Sequence, residues 1–114
     1  MNLPHAVGER RAKEIVYTGV PFSAEDAFSW GLVNKIMEPK VLLDECLKTA
    51  SKIAQNAPIS VRQAKKSMSV ATQVDKNIAY MFELEAYERM ITTEDRLEGV
   101  KAFNEKRKPV FKGE

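Results

Sequence analysis

Apolar residues recur at helical spacing along most of this chain. Four segments place them at i, i+3 and i+4, which is the pattern of helices that bury one face. The predicted helices cover residues 9–18, 23–30, 39–55 and 58–71. Gly19 and Gly31 are suited to end the first two, because glycine readily closes a helix C-terminus. The pattern therefore predicts a mainly α fold.

Residues 76–91 form a longer predicted helix that is apolar on more than one face. Its apolar side chains cannot all fit a single stripe about 100° wide. They are Ile78, Ala79, Tyr80, Met81, Phe82, Leu84, Ala86, Tyr87, Met90 and Ile91. We expect this helix to pack on two sides, with a second subunit as a candidate for one of them.

One segment departs from the helical pattern. Residues 32–37 are too short for a helix and rich in β-forming residues. They are predicted to form one short strand, the only one in the chain.

Two expectations concern burial. Cys46 lies on the apolar face of the helix that Pro39 opens, so it is predicted to be a small buried residue. In the helix that follows Pro58 the predicted core stripe is Val61, Ala64, Met68 and Ala71.

The last predicted helix is capped at its start and basic at its end. Thr92 and Asp95 have the S/T-x-x-D/E spacing of a capping box, in which both side chains satisfy first-turn amides. The basic residues 106–108 suit the negative end of the helix dipole, and Pro109 cannot continue the helix.

Phe103 and Lys106 are the candidate binding residues of this segment. Their spacing of three places an aromatic ring and an ammonium group on one helix surface. Two interpretations stay open. The segment is either a helix end charged to suit its dipole, with Phe111 packed on the core, or a site for an anionic, partly aromatic ligand such as a nucleotide.

Length and charge limit the alternatives. The chain has 114 residues, which is one ordinary domain or part of a larger one, and a formal net charge of only +2. This charge does not predict binding to nucleic acid or to an anionic membrane. The single cysteine fits a reducing compartment, no apolar run is long enough for a membrane span, and a cytoplasmic location is expected.

Side chains that could carry catalysis are sparse. His5 is the only histidine and is predicted to lie in a loop, and one histidine with one cysteine cannot make a zinc site. Glu85 and Glu88 share a helix face but are interpreted as its polar side. The prediction is therefore no catalytic residue and no metal site in this chain.

Several short motifs, in order, resemble the enoyl-CoA hydratase/isomerase (crotonase) family. They run through most of the chain: Leu3-Pro-His-Ala-Val-Gly8, Tyr17-Thr-Gly19, Ser23-Ala-Glu-Asp-Ala27, Gly31-Leu-Val-Asn34, Ala57-Pro58, Ala64-Lys65, Thr93-Glu-Asp95, Glu98-Gly99, Ala102-Phe103, Glu105-Lys-Arg107, Pro109 and Phe111. Each motif alone is weak, and their common register makes the resemblance strong.

The resemblance implies that a large part of the family fold is absent. Family members are roughly twice as long or more, and their N-terminal spiral of ββα units carries the oxyanion-hole amides and catalytic carboxylates. No residue of this chain matches those carboxylates. The chain is thus expected to be the helical C-terminal portion, in which 1–37 is the tail of the core region and 38–114 serves oligomerisation and covers coenzyme A.

The resemblance also implies a function for the intact protein. The family reaction is hydration of a 2-enoyl-CoA thioester, with isomerisation, dehydration and thioester hydrolysis as alternatives. Expected partners are an acyl-CoA substrate and further copies of the chain, as a trimer or dimer of trimers, and no cofactor beyond the coenzyme A of the substrate. Phe103 and Lys106 are expected to approach the nucleotide end of coenzyme A, with a helical interaction module that binds no coenzyme A as the other hypothesis.

Overall fold

A computed structural model describes residues 2–114, and these residues form seven α-helices joined by short loops. The helices are α1 (Leu3–Val7), α2 (Glu9–Thr18), α3 (Ala24–Ser29), α4 (Pro39–Ala54), α5 (Pro58–Ala71), α6 (Lys76–Ile91) and α7 (Glu94–Asn104). The predicted mainly α fold is confirmed. The sequence pattern missed α1, so His5 lies in a short helix and not in a loop.

The strand predicted over residues 32–37 is wrong, since the described part of the chain contains no strand. The backbone amides of Leu32 and Val33 donate hydrogen bonds back to the Ala27 carbonyl, at 2.8 and 3.4 Å. These donors are therefore used to close the C-terminal end of α3. A β-forming composition makes a strand only where a neighbouring strand can accept its hydrogen bonds.

Contacts divide the chain into two compact units, one ending at Asp44 and the other running from Glu45 to Glu114. The boundary falls inside α4. The functional division expected at residues 37 and 38 stays a prediction.

The first unit is organised around a capped turn between α2 and α3. Ser23 accepts a hydrogen bond from the Asp26 amide at 2.9 Å, and the Asp26 carboxylate accepts from the Ser23 amide at 3.2 Å. The Ser23 hydroxyl also donates to the Asp26 carboxylate at 2.8 Å, and this bond, followed by the one from the Ser23 amide, lowers the pKa of Asp26. The rings of Phe22 and Trp30 lie 5.1 Å apart between centroids, and the Arg11 guanidinium lies 4.6 Å from the Trp30 ring centroid.

In the second unit, α5 and α6 pack against each other across a four-residue loop. The Asp75 carboxylate caps α6 by accepting from the amides of Asn77 and Ile78, at 2.9 and 3.1 Å. One face of α6 is buried or half-buried and consists of Ala79, Phe82, Ala86 and Met90. This is the single-face helical spacing expected for a packed helix.

Another face of α6 stays exposed and is also apolar. It consists of Tyr80, Leu84, Tyr87 and Ile91, and we call it the outer stripe. The expectation that α6 is apolar on more than one face is thereby confirmed. What covers the outer stripe stays a prediction.

Among the described residues, the buried apolar side chains are all alanines: Ala12, Ala27, Ala86 and Ala102. Large apolar side chains are half-buried or exposed, including Met68 of the predicted α5 stripe at 65% and Leu43 of α4 at 69%. Cys46 is exposed as well, so its predicted burial is wrong. The helical spacing is present, but none of the described residues buries Cys46. No described helix combines the length and the apolar character needed to cross a bilayer.

Candidate functional site

The candidate site is built on α7, and the start of this helix is set by Thr93. The Thr93 hydroxyl accepts a hydrogen bond from the Arg96 amide at 3.2 Å and donates one to the Met90 carbonyl at 2.8 Å. The capping box predicted for Thr92 and Asp95 is therefore wrong by one residue. Only Thr92 has an acidic residue three positions on, whereas Arg96 occupies that position for Thr93, so the capping-box spacing favours the wrong threonine.

Helix α7 ends in a tight turn at Lys106, which adopts a left-handed conformation with φ of 54°. The Lys106 amide donates to the Phe103 carbonyl at 3.2 Å, and the Arg107 amide donates to the Ala102 carbonyl at 3.0 Å. This pair of bonds is the Schellman motif, in which the left-handed position is usually glycine. A lysine there costs about 1–2 kcal/mol.

Arg107 donates most of its hydrogen bonds to neighbouring acceptors just after the turn. Its Nη1 and Nη2 atoms form a bidentate pair with Glu98 Oε1 and Oε2, at 2.6 and 2.8 Å. Its Nε donates to Glu105 Oε2 at 2.6 Å, and Nη1 also donates to the Lys108 carbonyl at 3.1 Å. Arg107 therefore has little capacity left to bind a ligand, although the sequence places it in the basic cluster.

Residues 107–114, which we call the strap, fold back along α7. Glu98 Oε1 accepts a bond from the Val110 amide at 2.8 Å. Asp95, whose residue surface is 3% exposed, accepts from the amides of Lys112 and Gly113, at 2.7 and 2.8 Å. Two carboxylates, one helical turn apart, thus accept the backbone hydrogen bonds that an extended segment would otherwise donate to a neighbouring strand.

The hydrogen bonds that Glu98 accepts also set its acidity. Its hydrogen bonds from Arg107 and then from the Val110 amide lower the pKa of Glu98 from 4.5 to about 2. The hydrogen bonds of Arg107 to Glu98 and then to Glu105 raise the pKa of Arg107 above its usual range. Because the folded-state pKa of Glu98 is the lower one, its stabilising contribution is complete above pH 4.5. It disappears as the pH falls from 4.5 towards 2.

The predicted binding residues Phe103 and Lys106 are both exposed. Phe103 lies in the last turn of α7, whereas Lys106 lies beyond the helix in the left-handed turn, so the helix surface predicted to carry both residues is wrong. The Phe103 side chain is 83% exposed, which is unusual for an aromatic residue on a helix. In the described part of the chain, Lys106 and Lys108 form no ion pair, in contrast to Arg107. An exposed aromatic ring can stack on a planar base, and an unpaired ammonium group can neutralise a phosphate.

An open groove of ≈ 830 Å³ adjoins the strap in the same unit. Its lining includes Lys52, Gln55, Asn56 and Lys108, together with Pro58 and Phe111. The Phe111 ring lies 3.6 Å from the position that a Cβ would take at Gly99, so this ring packs against α7 as the structural interpretation of the segment expected.

The remaining sequence candidates are not assembled into a site. His5 is exposed in α1, and no three His, Cys, Asp or Glu residues among those described could hold a metal ion. Glu85 pairs with Arg89 at 2.7 Å and lies 3.9 Å from Lys66, as expected for a polar helix side. A cleft of ≈ 560 Å³ between α5 and α6 is lined mainly by apolar side chains, including Met68, Tyr87 and Met90.

Asp95 and Glu98 are the residues that sequence reasoning missed. The sequence pattern assigns Asp95 to a helix cap and contains Glu98 only as part of a family motif. Their spacing of three puts both carboxylates on one face of α7, opposite a tail that Pro109 prevents from continuing the helix. This combination was the available signal.

The chain was compared with known proteins. The enoyl-CoA hydratase/isomerase family model matches residues 1–114. The short-chain-enoyl-CoA hydratase of Clostridium acetobutylicum is 38% identical over 106 residues, covering 93% of this chain. The crotonyl-CoA hydratase of Syntrophomonas wolfei is 38% identical over 109 residues, covering 96%. The crystal structure of an enoyl-CoA hydratase from Bacillus anthracis matches 98% of the chain, with 46% identity and a TM-score of 0.96.

The matched share of these proteins is much smaller than the matched share of this chain. The chain spans 41% and 42% of the two relatives and 43% of the solved structure. These shares give a length but no position, so the placement at the C-terminal end stays a prediction from the motif order.

Proposed function

Because this chain belongs to the enoyl-CoA hydratase/isomerase family, we propose that the intact protein hydrates 2-enoyl-CoA thioesters and that this chain binds the coenzyme A nucleotide. The observation that carries the proposal is the 83% exposure of Phe103 together with the unpaired Lys106, whose amide is bonded to the Phe103 carbonyl at the end of a helix held by its own tail. The names of the relatives, which are hydratases, support the reaction type.

In this proposal the chain supplies binding and not chemistry. Phe103 stacks on the adenine ring, and Lys106 neutralises a phosphate. The oxyanion-hole amides and carboxylates that the family resemblance implies belong to the rest of the intact protein. The 114-residue chain alone is therefore expected to show no hydration of crotonyl-CoA, while the intact protein does. Turnover by the chain alone would overturn this division of roles.

A substitution tests the binding role in the intact protein. Lys106→Ala removes one exposed phosphate contact, which contributes about 1 kcal/mol, so KM for crotonyl-CoA should rise about fivefold with little change in kcat. Lys13→Ala, an exposed lysine of α2, is the matched control and should leave both parameters unchanged. A large loss of kcat at constant KM in Lys106→Ala would contradict a purely binding role.

We further propose that copies of this chain assemble through the outer stripe, as a trimer or a dimer of trimers in a cytoplasmic protein. Four exposed apolar side chains at helical spacing support this, since such a stripe is typical of a contact surface. The same stripe favours the second candidate, a helical interaction module that binds no coenzyme A. Calorimetry with free coenzyme A separates the two, because only the first candidate gives binding heat.

The order of the motifs suggests that this portion is the C-terminal one. Sequencing the gene on both sides of the chain tests the prediction. Coding sequence for a ββα spiral upstream would agree with it, and the same sequence downstream would contradict it.

A further inference from the structure

The strap is attached to α7 by two carboxylates, and the turn that presents Lys106 lies between these two segments. On one side, the amides of Lys106 and Arg107 are bonded to α7 carbonyls. On the other, the Arg107 guanidinium is bonded to Glu98 on both oxygens. The turn is thus tied to the same helix by its backbone and by the side chain that follows it.

This arrangement matters for Lys106 because of its backbone conformation. A left-handed lysine is less stable than a left-handed glycine, so the turn needs support from its surroundings. A different conformation at residue 106 would send the side chain in another direction. The Glu98–Arg107 pair provides support within one residue of Lys106.

We propose that Glu98 is a positioning residue for the nucleotide site: by holding Arg107 and the strap, it fixes the Lys106 turn and keeps the Arg107 guanidinium away from the bound phosphates. The inference rests on the proposed function of Phe103 and Lys106. This positioning increases the specificity of the site. The anion then contacts one ammonium group in a fixed position beside an aromatic ring, instead of a mobile cluster of basic residues.

For Glu98→Gln, the proposal predicts a change in coenzyme A affinity opposite to the change that local charge alone predicts. Glu98→Gln removes a negative charge close to the site and leaves Glu105 as the carboxylate paired with Arg107. If only the local charge counted, coenzyme A would bind more tightly. If Glu98 positions the turn, coenzyme A binds more weakly in spite of the added positive charge, because binding must then order the turn.

The experiment measures the Kd of free coenzyme A for the intact protein by calorimetry. The proteins are wild type, Glu98→Gln, Glu98→Asp and Glu94→Gln. Glu94→Gln is the matched control, since it removes the same charge from an exposed position of α7 outside the strap contacts. We expect Kd to rise about fivefold in Glu98→Gln, less in Glu98→Asp, and to change little in Glu94→Gln.

A second readout separates positioning from general destabilisation. With crotonyl-CoA, Glu98→Gln should raise KM and leave kcat unchanged, and amide hydrogen exchange should accelerate within 107–114 only. If Glu98→Gln does not fold, Glu98→Asp carries the test with the charge retained. Equal or tighter binding in Glu98→Gln would overturn the positioning role, and so would unchanged Kd in a folded Glu98→Asp.

Failure of the underlying function gives a different result. If the wild-type protein does not bind coenzyme A, or if Lys106→Ala binds as wild type does, the nucleotide site itself is wrong. If Lys106→Ala weakens binding and Glu98→Gln does not, only the positioning role is wrong.

Discussion

Helices α6 and α7 belong to the same unit, but the side chains on their surfaces find partners in different ways. Along α7, the carboxylates of Asp95 and Glu98 accept hydrogen bonds from the chain's own tail, so polar groups are satisfied locally. Along α6, the outer stripe leaves four large apolar side chains exposed. Helix α7 also exposes apolar residues, namely Leu97, Val100 and Phe103. The comparison therefore indicates that the chain's own tail satisfies two carboxylates of α7, whereas what covers the outer stripe of α6 stays a prediction.

The interactions along the two helices also contribute different free energies to stability. Burying one large apolar side chain is worth about 1.5–3 kcal/mol. A hydrogen bond to a charged group contributes about 1.5–3 kcal/mol when it is buried, but exposed ion pairs contribute less than about 1 kcal/mol. Changes in the outer stripe should therefore have the largest effects, and changes at exposed residues of α7 the smallest.

The largest effect is expected for Leu84→Lys. This residue lies within the outer stripe and is 45% exposed in the chain alone. If a second copy covers the stripe, a buried unpaired charge would cost several kcal/mol at each contact and dissociate the oligomer. Sedimentation equilibrium of the intact protein measures this, and Leu84→Met is the control that keeps the site apolar. An unchanged mass for Leu84→Lys would show that the stripe is not an interface.

A smaller but still substantial effect is expected for Asp95→Ala. It removes the acceptor of two strap amides from a site that is 3% exposed, which should lower the free energy of unfolding by about 2–3 kcal/mol. Chemical denaturation measures the total, and amide exchange at Lys112 and Gly113 locates it. Glu94→Ala is the control, as an acidic residue of the same turn without a strap contact. Slow exchange retained at both amides would contradict the role of Asp95.

The sequence predicts most of this fold because helical spacing is a local property. The starts of α4 and α5 follow from Pro39 and Pro58, and α6 follows from its polar lead-in at Asp75. Burial is different, since it depends on what covers each face. Cys46 lies on an apolar face of its helix in the sequence, yet it is exposed because no described part of the chain packs over it.

The candidate site was predicted only in part for a related reason. The sequence places Phe103 and Lys106 on one helix surface, but α7 ends at Asn104 and Lys106 lies in the left-handed turn beyond it. The pairing of Glu98 with Arg107 joins residues nine apart across a chain reversal, and the Asp95 bond to Gly113 spans 18 positions. Such contacts depend on the path of the strap, which no periodicity encodes.

An intermediate effect is expected at the start of α7, where two threonines compete for the cap. Thr93→Ala should cost about 1 kcal/mol, because the Arg96 amide loses its acceptor. Thr92→Ala is the matched control and should change stability by less than about 0.5 kcal/mol. Thermal unfolding of the two variants side by side gives the answer. A larger loss in Thr92→Ala would restore the cap predicted from the sequence.

The smallest effect is expected for Lys106→Gly, and its sign makes it informative. Glycine adopts φ of 54° without the steric cost that a lysine carries, so the free energy of unfolding should rise by about 0.5–1 kcal/mol. The same change removes the ammonium group and should weaken coenzyme A binding about fivefold. Lys108→Gly is the control, because Lys108 lacks a positive φ and glycine there should not stabilise the protein. Higher stability with weaker binding would mean that lysine is kept at this turn for its charge, although it lowers stability. Higher stability with unchanged binding would leave the left-handed lysine without a functional reason.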